Sequence, residues 1–265
     1  MINYRLSFTL VQLKLLEKYI MPQIYLIRHG QASFGSQNYD QLSELGYQQA
    51  RYLGRWWAAR ELQVSRVVTG KMQRHLQTAH ACMAELQGIE SSQLITEQWQ
   101  SDVAFNEYNH HEVLARHVPA FDDPQEVKRF LIDTPNGKHE FQEIFSQAMA
   151  RWMSGTFDFD YTETWPAFRQ RCVAALERQI SQPEPVKNIV IFTSGGTISA
   201  LCQHILGFPD GRLAQLNWSL VNSAVTRFHL QDSVSNERPA KLALAYLNNF
   251  SHLEQINQAG LITYV

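Results

Sequence analysis

Arg28 and His29 stand side by side in the run LIRHGQASF, residues 26–34, directly after a short apolar stretch. A histidine ring at the tip of a strand can act as a base, a metal ligand or a nucleophile, and its neighbours decide which. Metal binding lacks partners: no H-x-x-x-H or H-x-H lies nearby, and His110 and His111 are adjacent, which points their rings apart in most backbone conformations. An anion suits the surroundings better, because the planar, permanently charged fork of Arg28 matches phosphoryl oxygens. Arg74 follows the second strand-like run and offers another such fork. In TSGG, Thr193 to Gly196, the paired Gly195 and Gly196 form a turn that opens a helical pattern. They would present backbone N–H groups and the positive end of that helix to the same anion.

These residues need a frame that brings strand ends together. Ile24–Ile27, Val64–Val68 and Ile189–Phe192 read as short buried strands, with weaker strand signals at Leu94–Trp99, Val225–Leu230 and Leu242–Leu247. Helical spacing follows most of them. Ser43 is placed to cap a helix with Tyr47, Ala50, Leu53 and Trp57 on one face, and Leu76, Ala79, Met83 and Leu86 line another that ends at Gly88. Strands alternating with helices predict an α/β, three-layer fold: a mainly parallel sheet with helices on both faces and a helical insertion. Ligands in such sheets bind beyond the carboxyl ends of the strands, where Arg28, His29 and TSGG all fall.

Composition sets the outer bounds. With 265 residues, 45% hydrophobic and 18% charged, the chain can bury a full core. A net charge of -2 supplies no global positive field for nucleic acid or an anionic membrane, so neither is expected as a partner. Cys82, Cys172 and Cys202 show no metal-ligand spacing and read as small core residues of a reduced, cytoplasmic protein. Residues 1–20 are broken by Arg5, Lys14, Glu17 and Lys18 and carry no cleavage site, so they fit neither a membrane span nor a secretory signal. They read as an N-terminal extension ahead of a single domain, residues 21–265, with the helical insertion at about 112–180. A homodimer is compatible with the sequence but not derivable from it.

YLIRHGQASF, YDQLSELGYQQA, VVTGKMQRHLQTA, FNEYNH, ETWPAFRQR and IVIFTSGGTI, taken in order, resemble the histidine phosphatase superfamily, whose fold is that of phosphoglycerate mutase. The resemblance spans about residues 22–250, and the R-H-G triplet is its specific part. It implies that His29 is the nucleophile that becomes phosphorylated, that Arg28 and Arg74 hold the phosphoryl group, and that Glu107 protonates the leaving oxygen. It implies a small phosphorylated substrate and no metal or other cofactor. One departure stands out: where the family has s-H-G-G, this chain has Ser194 in the histidine's place. A serine donates one neutral hydrogen bond, and loss of one pre-organised donor costs about 10²–10³ in rate. His110 or His111 could replace that donor, whereas His204 lies about 15 Å from the start of its helix at 1.5 Å per residue.

Two functions compete on these residues. One is a phosphohydrolase working through phosphohistidine on His29 and acting on a small phosphomonoester or on a phosphohistidine protein, favoured by His29 and Glu107 being present together. The other is a catalytically weak or inactive relative that binds a phosphorylated ligand or partner, favoured by Ser194. A nucleotide-binding turn at TSGG is a poorer fit, since G-x-G-x-x-G and a P-loop lysine are both absent. Asp158, Asp160 and Glu163 alternate with aromatic residues and read as loop or edge rather than metal ligands.

Overall fold

The computed structural model describes residues 22–33, 40–182, 187–231 and 241–264, so the expected extension at 1–20 lies outside the described residues. The strands are β1 (Gln23–Arg28), β2 (Arg66–Thr69), β3 (Gln100–Ser101), β4 (Asn188–Thr193), β5 (Val225–Gln231) and β6 (Lys241–Asn249). They form one sheet in the order β3-β2-β4-β1-β5-β6. After their first residue β1 and β4 are buried throughout, which is why both read as unbroken apolar runs. They pair in parallel from Gln23 opposite Asn188 to Arg28 opposite Thr193, and β2 pairs in parallel with β4 up to Thr69 opposite Phe192. Three strands therefore end at one level, and their next residues, His29, Gly70 and Ser194, lie along one edge. The sheet is mainly parallel as expected; β5 and β6 run antiparallel at the other side of β1.

Alternation along the strands divides the core in two. Tyr25, Ile27, Val190 and Phe192 face α1 (Glu44–Ala58) and α2 (Gln73–Gln87), packing with Leu53, Trp57, Cys82 and Met83. Ile24, Leu26, Ile189 and Ile191 face the other layer. That layer's chain first runs through α3 (His110–His117), α4 (Pro124–Asp133) and α5 (Gly137–Met153), then through α6 (Trp165–Ile180) and α7 (Gly195–Leu206). Phe145, Met149 and Trp152 of α5 join Phe168 and Cys172 of α6 and Leu201 of α7 in one apolar cluster with the sheet. The helices of the expected insertion are thus continuous with the sheet's own core. All three cysteines are buried free thiols.

Two local expectations are corrected. Leu94–Trp99 is not a strand; pairing with β2 is confined to Gln100 and Ser101. Its apolar residues at 94, 95 and 99 do not alternate, Ile95 is 73% exposed, and a turn from Trp99 N–H to the Thr96 carbonyl bends the chain. Gly195 and Gly196 do not form a turn before the helix but are the first two residues of α7, with Ser194 at the capping position.

The cap expected at Ser43 is present: its hydroxyl accepts from Gly46 N–H at 3.1 Å and donates to Gln31 Oε1 at 2.8 Å. Ser43→Ala is expected to cost about 1 kcal/mol, read as a lower urea midpoint with an unchanged slope. An unchanged midpoint would show that α1 is held by its apolar face alone.

Candidate active site

His29 is held from several sides. Its N–H donates to the Thr193 carbonyl at 2.9 Å, and its carbonyl accepts from Ser223 N–H and from the Asn222 side-chain amide, each at 3.2 Å. Ring Nδ1 lies 2.7 Å from the Gly30 carbonyl. A carbonyl can only accept, so Nδ1 carries the proton and Nε2 keeps its lone pair. Burial and the charges of Arg74 and Arg28 push the His29 pKa well below the ordinary range, so the ring is neutral at neutral pH. A neutral imidazole of this tautomer can attack phosphorus.

The two arginines expected to hold a phosphoryl group flank this edge, both more than nine-tenths buried. Arg28, the last residue of β1, donates through one guanidinium nitrogen to the Leu220 carbonyl. Arg74, in the first turn of α2, donates to Asp40 Oδ1 at 2.8 Å while Gln73 N–H donates to Asp40 Oδ2 at 2.9 Å. Asp40 thus fixes both the arginine and the start of its helix. Arg74 Nε is buried with no partner among the described residues, leaving an unused donor on that guanidinium.

Glu107 is drawn into the same edge. Its Oε2 accepts from Gly196 N–H at 3.0 Å and its Oε1 from Tyr108 N–H at 3.2 Å. Burial raises its pKa, against the opposing pull of those amides and of Arg74 and Arg28. Its sequence neighbours Phe105 and Tyr108 are both buried, and Tyr108 is anchored on Trp152 and Phe168 with ring centres 4.9 and 5.4 Å apart. Gly196 permits the approach: a Cβ there would lie 2.2 Å from Glu107 Oε1 and 2.5 Å from the Tyr108 ring. This corrects the expectation that the Gly196 amide faces a bound anion, because the amide is already given to Glu107.

Neither expected replacement donor is the ring that bonds Ser194. His111 is half-buried and bonds the Asp122 carbonyl at 2.9 Å. Burial and the nearby Arg74 and His111 lower the His110 pKa to about 4, so its ring is neutral and brings no positive charge near neutrality. His204 is exposed on α7. The ring beside Ser194 is instead His75, which sequence reasoning passed over. Its Nε2 lies 2.6 Å from Ser194 Oγ, and its ring centre is 5.9 Å from that of His29. The available signal was its position next to Arg74. Thr78, one turn further on, was also missed; its hydroxyl accepts from Gly30 N–H at 3.0 Å.

Among the described residues no group of three His, Cys, Asp or Glu is placed to hold a metal ion. Asp160 pairs with Arg151, and Glu163 with Arg171 at 2.5 Å. No helix among them is long and apolar enough to cross a membrane.

The profile of the histidine phosphatase superfamily (branch 1) matches residues 24–117 and 128–236. The chain belongs to the histidine phosphatase superfamily. No curated protein matches it in sequence. Among solved structures it is similar to a phosphoglycerate mutase from Bacillus anthracis str. Sterne, with 15% identity and a TM-score of 0.58 over 90% of this chain and 97% of that one. It is also similar to a mutant phosphoserine phosphatase from Entamoeba histolytica solved in complex with phosphoserine, with 16% identity and a TM-score of 0.57 over 88% and 100%. A mycobacterial glucosyl-3-phosphoglycerate phosphatase gives 18% identity and a TM-score of 0.52 over 86% and 98%. At these identities the likeness establishes the phosphoglycerate mutase-like fold of this superfamily member.

Proposed function

We propose that the protein is a metal-independent phosphohydrolase that takes the phosphoryl group from a small phosphomonoester through a phosphohistidine on His29. The observation that carries this reading is the His29 tautomer: with Nδ1–H given to Gly30, the Nε2 lone pair sits on the edge shared by two buried arginines and a carboxyl of raised pKa. In the first step Nε2 forms a bond to phosphorus as the ester P–O bond breaks, and the Glu107 carboxylic proton goes to the departing oxygen. Arg28 and Arg74 meet the charge on the equatorial oxygens. In the second step Glu107, now a carboxylate, takes a proton from water as that oxygen attacks phosphorus and the N–P bond breaks. Phosphatases and a mutase among the structural neighbours support the class. Three buried thiols suit a reduced compartment such as the cytoplasm.

The test is hydrolysis of p-nitrophenyl phosphate with excess EDTA, together with rapid quenching to trap a phosphoprotein that is stable to alkali and labile to acid. Turnover with such an intermediate is expected; metal-dependent turnover, or a phosphoester in its place, would overturn the reading. Glu107→Gln is expected to lower kcat about 10²–10⁴-fold, the usual span for a positioned acid. The sign of the pH dependence follows from the two shifts. His29 must be neutral, so activity is lost only well below pH 6.5; Glu107 must be protonated for the first step, so activity falls as pH rises through its raised pKa. The kcat/KM optimum is therefore expected on the acid side of neutrality, with its alkaline limb missing in Glu107→Gln. A limb that survives the substitution would assign the acid to another group.

Ser194 favours a second reading, a relative that binds phosphorylated ligands with little or no turnover. That reading expects saturable vanadate binding with hydrolysis no faster than buffer.

A further inference from the structure

Ser194 follows β4 and precedes α7, the position where a serine usually caps a helix, yet its hydroxyl caps no backbone amide. It is fully buried, and the one hydrogen-bond partner of its hydroxyl among the described residues is His75 Nε2, 2.6 Å away on α2. The other ring nitrogen of His75, Nδ1, has no partner among the described residues and faces Gly70 so closely that a Cβ there would lie 2.2 Å from it. Glycine at 70 is what makes room for this ring.

Those contacts select a tautomer. A buried N–H with no acceptor is rarer in folded proteins than an unused acceptor, so the unpartnered Nδ1 is the bare nitrogen and Nε2 carries the proton. Nε2–H then donates to Ser194 Oγ, and the hydroxyl proton of Ser194 cannot turn back toward His75. Burial and the adjacent Arg74 hold the His75 pKa well below the ordinary range, which keeps the ring neutral with its single proton. The hydroxyl proton has no acceptor among the described residues and is left for a ligand on the edge that His29 shares.

We propose that His75 is a positioning residue for phosphoryl transfer: by donating from Nε2 it commits Ser194 to act as a hydrogen-bond donor to the phosphoryl oxygens at His29. This rests on the phosphohydrolase reading above. No proton changes hands along His75–Ser194; the chain of two hydrogen bonds orients and polarises one hydroxyl. The site thereby gains a donor aimed before the substrate arrives, through a ring on the helix that follows the neighbouring strand, β2.

The test uses the full chain and p-nitrophenyl phosphate with EDTA. His75→Phe keeps the ring volume without the donor, whereas His75→Gln returns an N–H₂ near the Nε2 position. His75→Phe and Ser194→Ala are each expected to lower kcat about 10²-fold with KM changed by less than about threefold, the mark of a donor used mainly in the transition state. The double variant is expected to be no slower than the slower single, because the two groups act as a unit, and His75→Gln to recover at least about tenfold over His75→Phe. Nitrogen NMR of histidine-labelled wild type should show His75 protonated at Nε2. A wild type without turnover overturns the phosphohydrolase reading and this role with it. Wild-type turnover that His75→Phe leaves unchanged, multiplicative losses in the double variant, no gain from glutamine, or a proton on Nδ1 would each overturn the role of His75 alone.

Discussion

His29→Gln is expected to bring hydrolysis of p-nitrophenyl phosphate down to the rate in buffer alone, on the scale of the roughly 10⁶-fold loss that follows deletion of a nucleophile from a site whose residues act as a unit. Glutamine retains a polar side chain but has no lone pair able to displace an alkoxide from phosphorus. The loss should therefore be in chemistry and not in binding. Arg28 is held by the Leu220 carbonyl and Arg74 by Asp40, and neither contact passes through the imidazole. Vanadate should still bind to His29→Gln within about tenfold of wild type, roughly 1.4 kcal/mol. The trapped phosphoprotein should disappear altogether. Turnover in His29→Gln equal to that of wild type would move the nucleophile elsewhere.

The second large effect is on stability in acid. His252 is fully buried, with Nε2 2.8 Å from the Ser223 hydroxyl and Nδ1 without a partner among the described residues. Burial lowers its pKa to about 3, whereas an unfolded histidine titrates near 6.5. Below about pH 6.5 the unfolded chain takes up a proton that the folded chain refuses, so stability falls with pH until both forms are protonated. For this one ring the loss is about 3 kcal/mol by pH 4.5 and about 5 kcal/mol below pH 3. His29, His75 and His110 are shifted in the same direction. Glu107 opposes them, since its raised pKa favours the folded state as pH falls, but it is one group against four rings. Domains of this kind have only about 5–15 kcal/mol in total, so most of the stability should be gone by pH 4. Urea unfolding followed by tryptophan fluorescence at pH 7 and pH 4.5 measures it: the wild-type midpoint should drop steeply, and His252→Gln should lose less over the same interval. Equal wild-type midpoints at the two pH values would contradict the account.

The pH optimum and the acid stability pull on function in opposite senses. An acid side optimum for kcat/KM, set by Glu107, lies close to the range in which the buried histidines begin to cost stability. The working window is thus bounded below by the fold and above by the proton on Glu107.

Much of this was legible from local pattern. Residues 24–27 and 189–192 declare buried strands because a strand covered on both faces has to be apolar throughout, and the polar Arg28 and His29 then mark where the strand leaves the core. The helix at 44–58 could be read from Ser43 and the 3.6-residue spacing of Ala50, Leu53 and Trp57, because a cap and an apolar stripe are written within a few residues of one another. The ordered motifs carried the superfamily, and with it His29, Arg28, Arg74 and Glu107. The rest depended on distance across the chain. Nothing local distinguishes a two-residue edge strand at Gln100 from the apolar residues before it; pairing with β2 decides it. Nothing near Gly196 says that its amide will be given to Glu107, 89 residues earlier, rather than to an anion. Ser194 and His75 are 119 residues apart, and only the parallel register of β2 and β4, which brings the starts of α2 and α7 to one edge, sets them 2.6 Å from each other. Sequence determines what each residue can do and which element carries it; the sheet order determines which residues meet, because strand pairing is a long-range choice that local periodicity does not encode.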